Sequence, residues 1–239
     1  MFFINPPFGN YLTLPNTISI KGSYTLNPRA GLFLQILKTL RYSFKYEGWV
    51  NKIGLRNPGL DYAIKNYCKR HIVSIAICDE KEIPEILKKI PDDMNIELNV
   101  SCPNHKIIKN TKNNELRGFI NGEREWCIIK LSPYIDTQLI DNYYDIGFRQ
   151  FHCSNTIPLG DRGGLSGKSI IPYTANLIKY LKQKEDVVVI AGGGVRDIKT
   201  VEYYRKCGAD HISASTIFFN PFLSTWLYLN YVNRFSNNE

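Results

Sequence analysis

At 239 residues the chain is long enough to bury one sizeable core, and 44% hydrophobic with 22% charged residues is the make-up of a globular domain, not of a disordered, fibrous or membrane-spanning chain. A formal net charge of +8 admits an acidic partner or an anionic substrate. The cations are spread along the chain, the densest group being Lys106, Lys109 and Lys112, so a dedicated nucleic-acid surface is not expected.

Short β-rich runs alternate with helical segments. Strands are predicted over residues 2–4, 17–21, 72–77, 95–100, 127–131, 149–153, 187–191 and 211–215. Most are continuous apolar runs, as in parallel strands covered on both faces. Residues 6–16, after the first strand, are too few and too rich in Pro and Gly for a full helix. Residues 31–49 read as an insertion, in which 40–46 and 49–53 can form a hairpin. Asp79 can cap a helix running to Ile90, with Glu80 and Glu82 in its first turn. Residues 104–126 are polar and read as a loop. Asp136 can cap a helix running to Tyr144, and Pro172 suits the first turn of one running to Lys184. Asp197 can cap a helix that ends at Cys207-Gly208, where the glycine permits a left-handed turn. Eight strands with crossovers between them predict an α/β fold, a single (β/α)8 TIM barrel over 1–239. A doubly wound open sheet is the structural alternative.

The cysteines Cys68, Cys78, Cys102, Cys127, Cys153 and Cys207 form no CxxC pair, and His71, His105, His152 and His211 have no metal-ligand spacing. A reduced, cytoplasmic protein without disulfides or a metal site is expected.

Chemistry in a parallel barrel collects where strands end. That rule selects Lys21-Gly22, the stretch Asn99-Val100-Ser101-Cys102-Pro103-Asn104, Lys130, Ser154-Asn155-Thr156, Gly192-Gly193-Gly194 and Ser215-Thr216. The glycine triplet precedes a helix start and Ser215-Thr216 follows the last strand, so together they suit a phosphate; Gly163–Gly167 can complete that cradle. A free cysteine is most often a buried, inert thiol. Cys102 stands at a strand end between amides, which fits a proton-transferring thiol better. A Cys102–His105 hydrolase would leave the phosphate cradle without a job.

These motifs together resemble the dihydroorotate dehydrogenase family over nearly the whole chain. They comprise Lys-Gly-Ser-Tyr-Thr-Leu-Asn-Pro-Arg-Ala-Gly at 21–31, Asn-Lys-Ile-Gly-Leu-Arg-Asn-Pro-Gly at 51–59, the Asn99–Asn104 stretch, Lys130-Leu131-Ser132-Pro133, Ser154-Asn155-Thr156, Gly163–Gly167 with Pro172, the glycine triplet and Phe219-Asn220-Pro221. The resemblance implies an FMN oxidoreductase that converts dihydroorotate to orotate in pyrimidine synthesis. Cys102 would take the C5 proton, as in the family's soluble class, and a hydride would pass from C6 to FMN. Lys21, Asn51, Gly54, Leu55, Asn99, Asn104, Asn155 and Thr156 would contact the substrate. Lys21, Gly22, Asn99, Lys130, Ser154, Gly167, Gly193, Gly194, Ser215 and Thr216 would hold the flavin. A homodimer or an electron-transfer partner subunit is implied, and no membrane. Asn5-Pro6-Pro7 stands where the family has Ala-Ser-Gly, and the segment after Cys102 is short for the family. The alternative is therefore a degenerate barrel that binds flavin without turnover, or serves as a non-catalytic scaffold.

Overall fold

The computed structural model describes residues 1–100 and 114–236. In chain order the elements are β1 (Phe2–Ile4), β2 (Thr17–Tyr24), α1 (Leu32–Thr39), β3 (Arg41–Ser43), β4 (Gly48–Asn51), α2 (Leu60–Lys65), β5 (His71–Ala76), α3 (Ile83–Lys89), β6 (Ile96–Asn99), β7 (Cys127–Leu131), α4 (Thr137–Asp145), β8 (Gln150–Cys153), β9 (Ile157–Pro158), β10 (Gly164–Gly167), α5 (Ile171–Leu181), β11 (Val188–Ala191), α6 (Ile198–Lys206), β12 (His211–Ala214) and α7 (Pro221–Tyr231). Eight parallel strands close a barrel in the order β1-β12-β11-β8-β7-β6-β5-β2. They are the eight strands expected, and closure excludes the open doubly wound sheet.

The helices begin where the sequence supplies caps. The Asp136 carboxylate accepts the Gln138 N–H, and the Asp197 carboxylate accepts both the N–H and the hydroxyl of Thr200. Each cap is worth about 1 kcal/mol. The Asp79 carboxylate caps a short 3-10 turn that leads into α3, and Pro172 sits in the first turn of α5.

Alternation along each strand divides the barrel into two kinds of surface. Outward residues such as Ile4, Val73, Leu98, Ile129, Phe151, Val189 and Ile212 join the shell packed under the helices. Inward residues fill layers. Phe3, Ile20, Ile72, Trp126, Ile128 and Ile190 form an apolar floor at the N-terminal end, all at most 5% exposed. Two positions further along the strands the inward residues are Asn5, Ser74, Glu97, Lys130, His152 and Ser213, all buried and all polar. The register sets Ser74 opposite Glu97 and Lys130 opposite His152.

Two regions differ from expectation. Residues 31–49 hold the expected β3–β4 hairpin, but Leu32–Thr39 is a helix before it. Residues 164–167, expected as part of a phosphate loop, are strand β10, which pairs with β4 and β9 in a four-stranded antiparallel sheet. Two tight approaches require glycine there: a Cβ on Gly163 would lie 2.0 Å from the Asn51 carbonyl oxygen, and one on Gly48 would lie 2.4 Å from that of Ser166. After β1 the chain makes a single 3-10 turn, Phe8–Asn10, in place of a first helix.

Candidate functional site

The C-terminal ends of β1, β7, β8, β11 and β12 surround a pocket. Its walls include Asn5, Lys130, Ser154, Asn155, Thr156, Ser166, Gly193, Gly194, Ser215 and Thr216, and among the described residues no acidic side chain lines it. A roomier groove of about 460 Å³, against about 90 Å³ here, lies at the opposite end of the barrel among Thr13, Lys69, Arg70 and Trp126. Size does not decide between them. The hydroxyls, amides, glycine backbone and buried cation gather at the smaller site, where parallel barrels carry their chemistry.

Beneath its mouth lies the polar layer. Lys130 Nζ donates to Glu97 Oε1 at 3.3 Å, and the Ser74 hydroxyl donates to the same oxygen at 2.7 Å. Glu97 Oε2 lies 2.5 Å from His152 Nδ1. His152 Nε2 lies 2.7 Å from Ser213 Oγ and 3.2 Å from the Asn5 amide nitrogen. Burial by itself would raise the Glu97 pKa, but the Lys130 ammonium, with help from His152 and Ser74, holds it well below the usual carboxylate range. Burial depresses His152, and the Lys130 charge adds to that against the opposing pull of Glu97. Glu97 is thus a carboxylate and His152 a neutral ring. With Nε2 accepting from Asn5 or Ser213, its proton sits on Nδ1 and points at Glu97.

Above this layer, the Asn99 amide donates to Ser23 Oγ at 3.0 Å, and the Asn155 amide donates to Asn99 Oδ1 at 3.2 Å. The Thr156 N–H caps Asn155 Oδ1. Expected substrate contacts from two separate strands, β6 and the end of β8, are therefore already joined. On the other wall, Ser154 Oγ meets Thr174 Oγ1 at 2.9 Å, and the Ser215 hydroxyl donates to the Pro6 carbonyl at 2.8 Å. Gly193 and Gly194 have φ of +83° and +72°, and a Cβ on either would come within 2.6 Å of the side chain of Ile170 or Ile171. Only glycine lets the backbone turn there.

The other expected residues fall as follows. Lys21 does not line the pocket, and its charge bears on His71, which burial first and Lys21 second depress to about 4. Gly22, at φ +125°, packs against the Ser74 carbonyl and donates its N–H to Asn10 Oδ1. Asn51 ends β4, and its side chain receives the Ile53 N–H at the limit of hydrogen-bond distance, 3.5 Å. Gly54 and Leu55 form a turn with positive φ, 71° and 55°. Gly167 touches Gly48 and the Glu47 carbonyl, and its own carbonyl approaches Gly194. Cys102 and Asn104 lie outside the described residues. The inward polar layer of Ser74, Glu97, His152 and Ser213 was missed as functional. Its signal in the sequence is a polar residue at the same inward register of successive apolar strands.

The donors present suit a flavin mononucleotide. Among the described residues the pocket offers a buried cation, five hydroxyls, glycine amides and no competing carboxylate. Asn5 Oδ1 is buried without a donor among the described residues, an orphan acceptor at the pocket wall. Among the described residues no group of acidic, His and Cys side chains could hold a metal, and no helix is long and apolar enough to cross a membrane.

A family model described as dihydroorotate dehydrogenase matches residues 13–225. The chain is similar to the catalytic subunit of dihydroorotate dehydrogenase B (NAD(+)) from Staphylococcus carnosus, at 28% identity over 77% of this chain and 71% of that one. It is 29% identical to the subunit of the same name from Petrotoga mobilis, over 73% of this chain and 69% of the relative. In three dimensions it resembles ligand-free dihydroorotate dehydrogenase of Eimeria tenella with a TM-score of 0.68, at 19% identity over 90% of this chain and 77% of that one.

Proposed function

Because this chain belongs to the dihydroorotate dehydrogenase family, we propose that it oxidises dihydroorotate, or a closely similar dihydropyrimidine, with FMN as resident cofactor. The observation that carries this is the acid-free pocket at the strand ends, with Lys130 in its wall and the joined Asn99–Asn155 amides at its mouth.

Gly193 and Gly194, with Ser215 and Thr216, would hold the phosphate end, and the tightness of the pocket suits that end. Lys130 would place positive charge against the polar edge of the ring. Asn99 and Asn155, already fixed by Ser23 and Thr156, would present amide donors and acceptors to the substrate carboxylate and ring edge. Preorganisation of this kind spares the substrate the entropy of ordering them. Cys102 would take the proton from C5, and Asn104, Asn51, Gly54 and Leu55 would complete the substrate enclosure. FMN, when bound, supplies the two-electron acceptor for the C6 hydride. The family relationship supports these assignments, and the cytoplasmic, homodimeric or partner-subunit setting proposed for the protein rests on it as well.

The test is direct. FMN added to the purified protein binds and turns it yellow, and dihydroorotate added without oxygen bleaches it. Cys102→Ala keeps the colour and slows bleaching by about 10²- to 10⁴-fold, the usual worth of a general base. A yellow protein that dihydroorotate never bleaches removes the substrate assignment. That outcome would favour the second proposal, a flavin-binding barrel without turnover. Its motivation is Pro6 and Pro7, which leave the end of β1 without two backbone donors.

A further inference from the structure

We propose that His152 is a positioning residue of this site: through Glu97 it fixes where the Lys130 ammonium stands at the pocket, and through Ser213 and Asn5 it ties that position to the end of β1. The inference deepens the flavin proposal and rests on it for what Lys130 faces. It stands on a continuous chain of contacts through the barrel interior.

Glu97 has two oxygens and no solvent; it is 0% exposed. Oε1 serves Lys130 and Ser74. Oε2 has His152 as its donor. That division of labour keeps the carboxylate from rotating, so Lys130 has one acceptor direction available to it. Among the described residues the ionisable groups acting on His152 are Lys130 and Glu97, and the neighbouring Ser213 and Asn5 are neutral. A neutral Nδ1–H ring therefore satisfies the oxygen without adding charge, and the ion pair beside the pocket remains one cation and one anion. Removing the ring proton donor leaves Oε2 bare in a dry core. The Lys130 ammonium, the cation already bonded to this carboxylate, would be drawn inward, away from the pocket.

Two variants and two measurements decide it. In the purified protein, nitrogen-resolved NMR of the imidazoles, with His152 assigned by the signal lost in His152→Gln, shows a neutral Nδ1–H ring that does not titrate between about pH 5.5 and 8, where an ordinary histidine does. This reading needs no flavin. In the FMN-loaded protein, His152→Leu shifts the flavin midpoint potential to more negative values as Lys130 withdraws. His152→Gln, whose amide can donate to Glu97, restores most of the shift. A purely structural role would lower the stability of both variants and leave the potential where it was. A His152 that titrates in that range, or a Leu variant with the unaltered potential, overturns the proposal. A protein that takes up no FMN at all defeats the flavin assignment instead, and the NMR result then stands by itself on the network.

Discussion

Lys130→Met is the sharpest test of the buried layer, because it can be read without any ligand. The substitution keeps an unbranched side chain and deletes the ammonium. Glu97, fully buried, loses the cation 3.3 Å away and keeps only the Ser74 and His152 donors. Removing one member of a buried pair typically costs about 3–5 kcal/mol, a large share of the roughly 5–15 kcal/mol that holds a domain folded. At about 2–4 °C per kcal/mol for a chain of this size, the midpoint of thermal unfolding should fall by about 10 °C. The pH dependence carries the diagnostic sign. In the parent, the folded pKa of Glu97 is depressed, so its contribution is present above the unfolded value and is lost as pH falls. In the variant that depression is gone and burial dominates, so a proton is taken up in the native state, on Glu97 or on His152. The variant therefore recovers relative to the parent as pH falls, and the deficit is greatest at alkaline pH. Urea titrations followed by tryptophan fluorescence at about pH 8 and pH 5.5 measure it. A deficit below 1 kcal/mol, or one that does not change with pH, would refute the assignment of Glu97 as a carboxylate held by Lys130.

Other outcomes follow from the same geometry. Gly193→Ala should cost about 1–3 kcal/mol in stability, because φ is +83° and the new Cβ meets Ile170 at 2.6 Å. FMN titration should show weakened binding in the same variant, and unchanged affinity would remove that backbone from the cofactor site. Asn155→Ala breaks the link to Asn99 and should raise the KM for dihydroorotate about tenfold, the worth of one or two hydrogen bonds, while FMN stays bound. Cys127 is pushed up to about 12 by burial, and Cys153 is raised further by complete burial. Both should resist a disulfide exchange reagent at about pH 8 in the native protein and react once it is unfolded; labelling in the folded state would show that those strands open.

The strands were legible because the parallel barrel buries both faces, and each segment carries an apolar run ended by a polar residue or glycine. The caps at Asp79, Asp136 and Asp197 were legible because capping is local chemistry. What escaped is what depends on neighbours. In the run Ile96-Glu97-Leu98-Asn99 the carboxylate looks like one interruption of an apolar strand. Only the register shows it level with Ser74, and only the closed barrel brings the Lys130 and His152 side chains to it. Lys21 ends an apolar run as Lys130 does, yet it does not reach the pocket. A register shift between Lys21 and Tyr24, with Gly22 at φ +125°, alters the strand there. Helix α1 stands outside the barrel core with Phe33, Leu34 and Leu37 exposed, and its apolar residues fit a hairpin insertion as readily as a helix. The β9–β10 strands are too short and too rich in glycine to show a period.

The apolar floor of Phe3, Ile20, Ile72, Trp126, Ile128 and Ile190 has an electrical consequence. It separates the charged layer from the water at the other end of the barrel, as an insulating plug beneath a charged plate. Field lines from Lys130 and Glu97 spread poorly through the low-dielectric floor and walls and leave through the polar opening at the strand ends. Salt in the medium screens exposed charges over about 8–10 Å, and the floor keeps it from this layer at the N-terminal end. The barrel thus works as a one-way aperture for its own electrostatics, aimed at whatever occupies the strand ends.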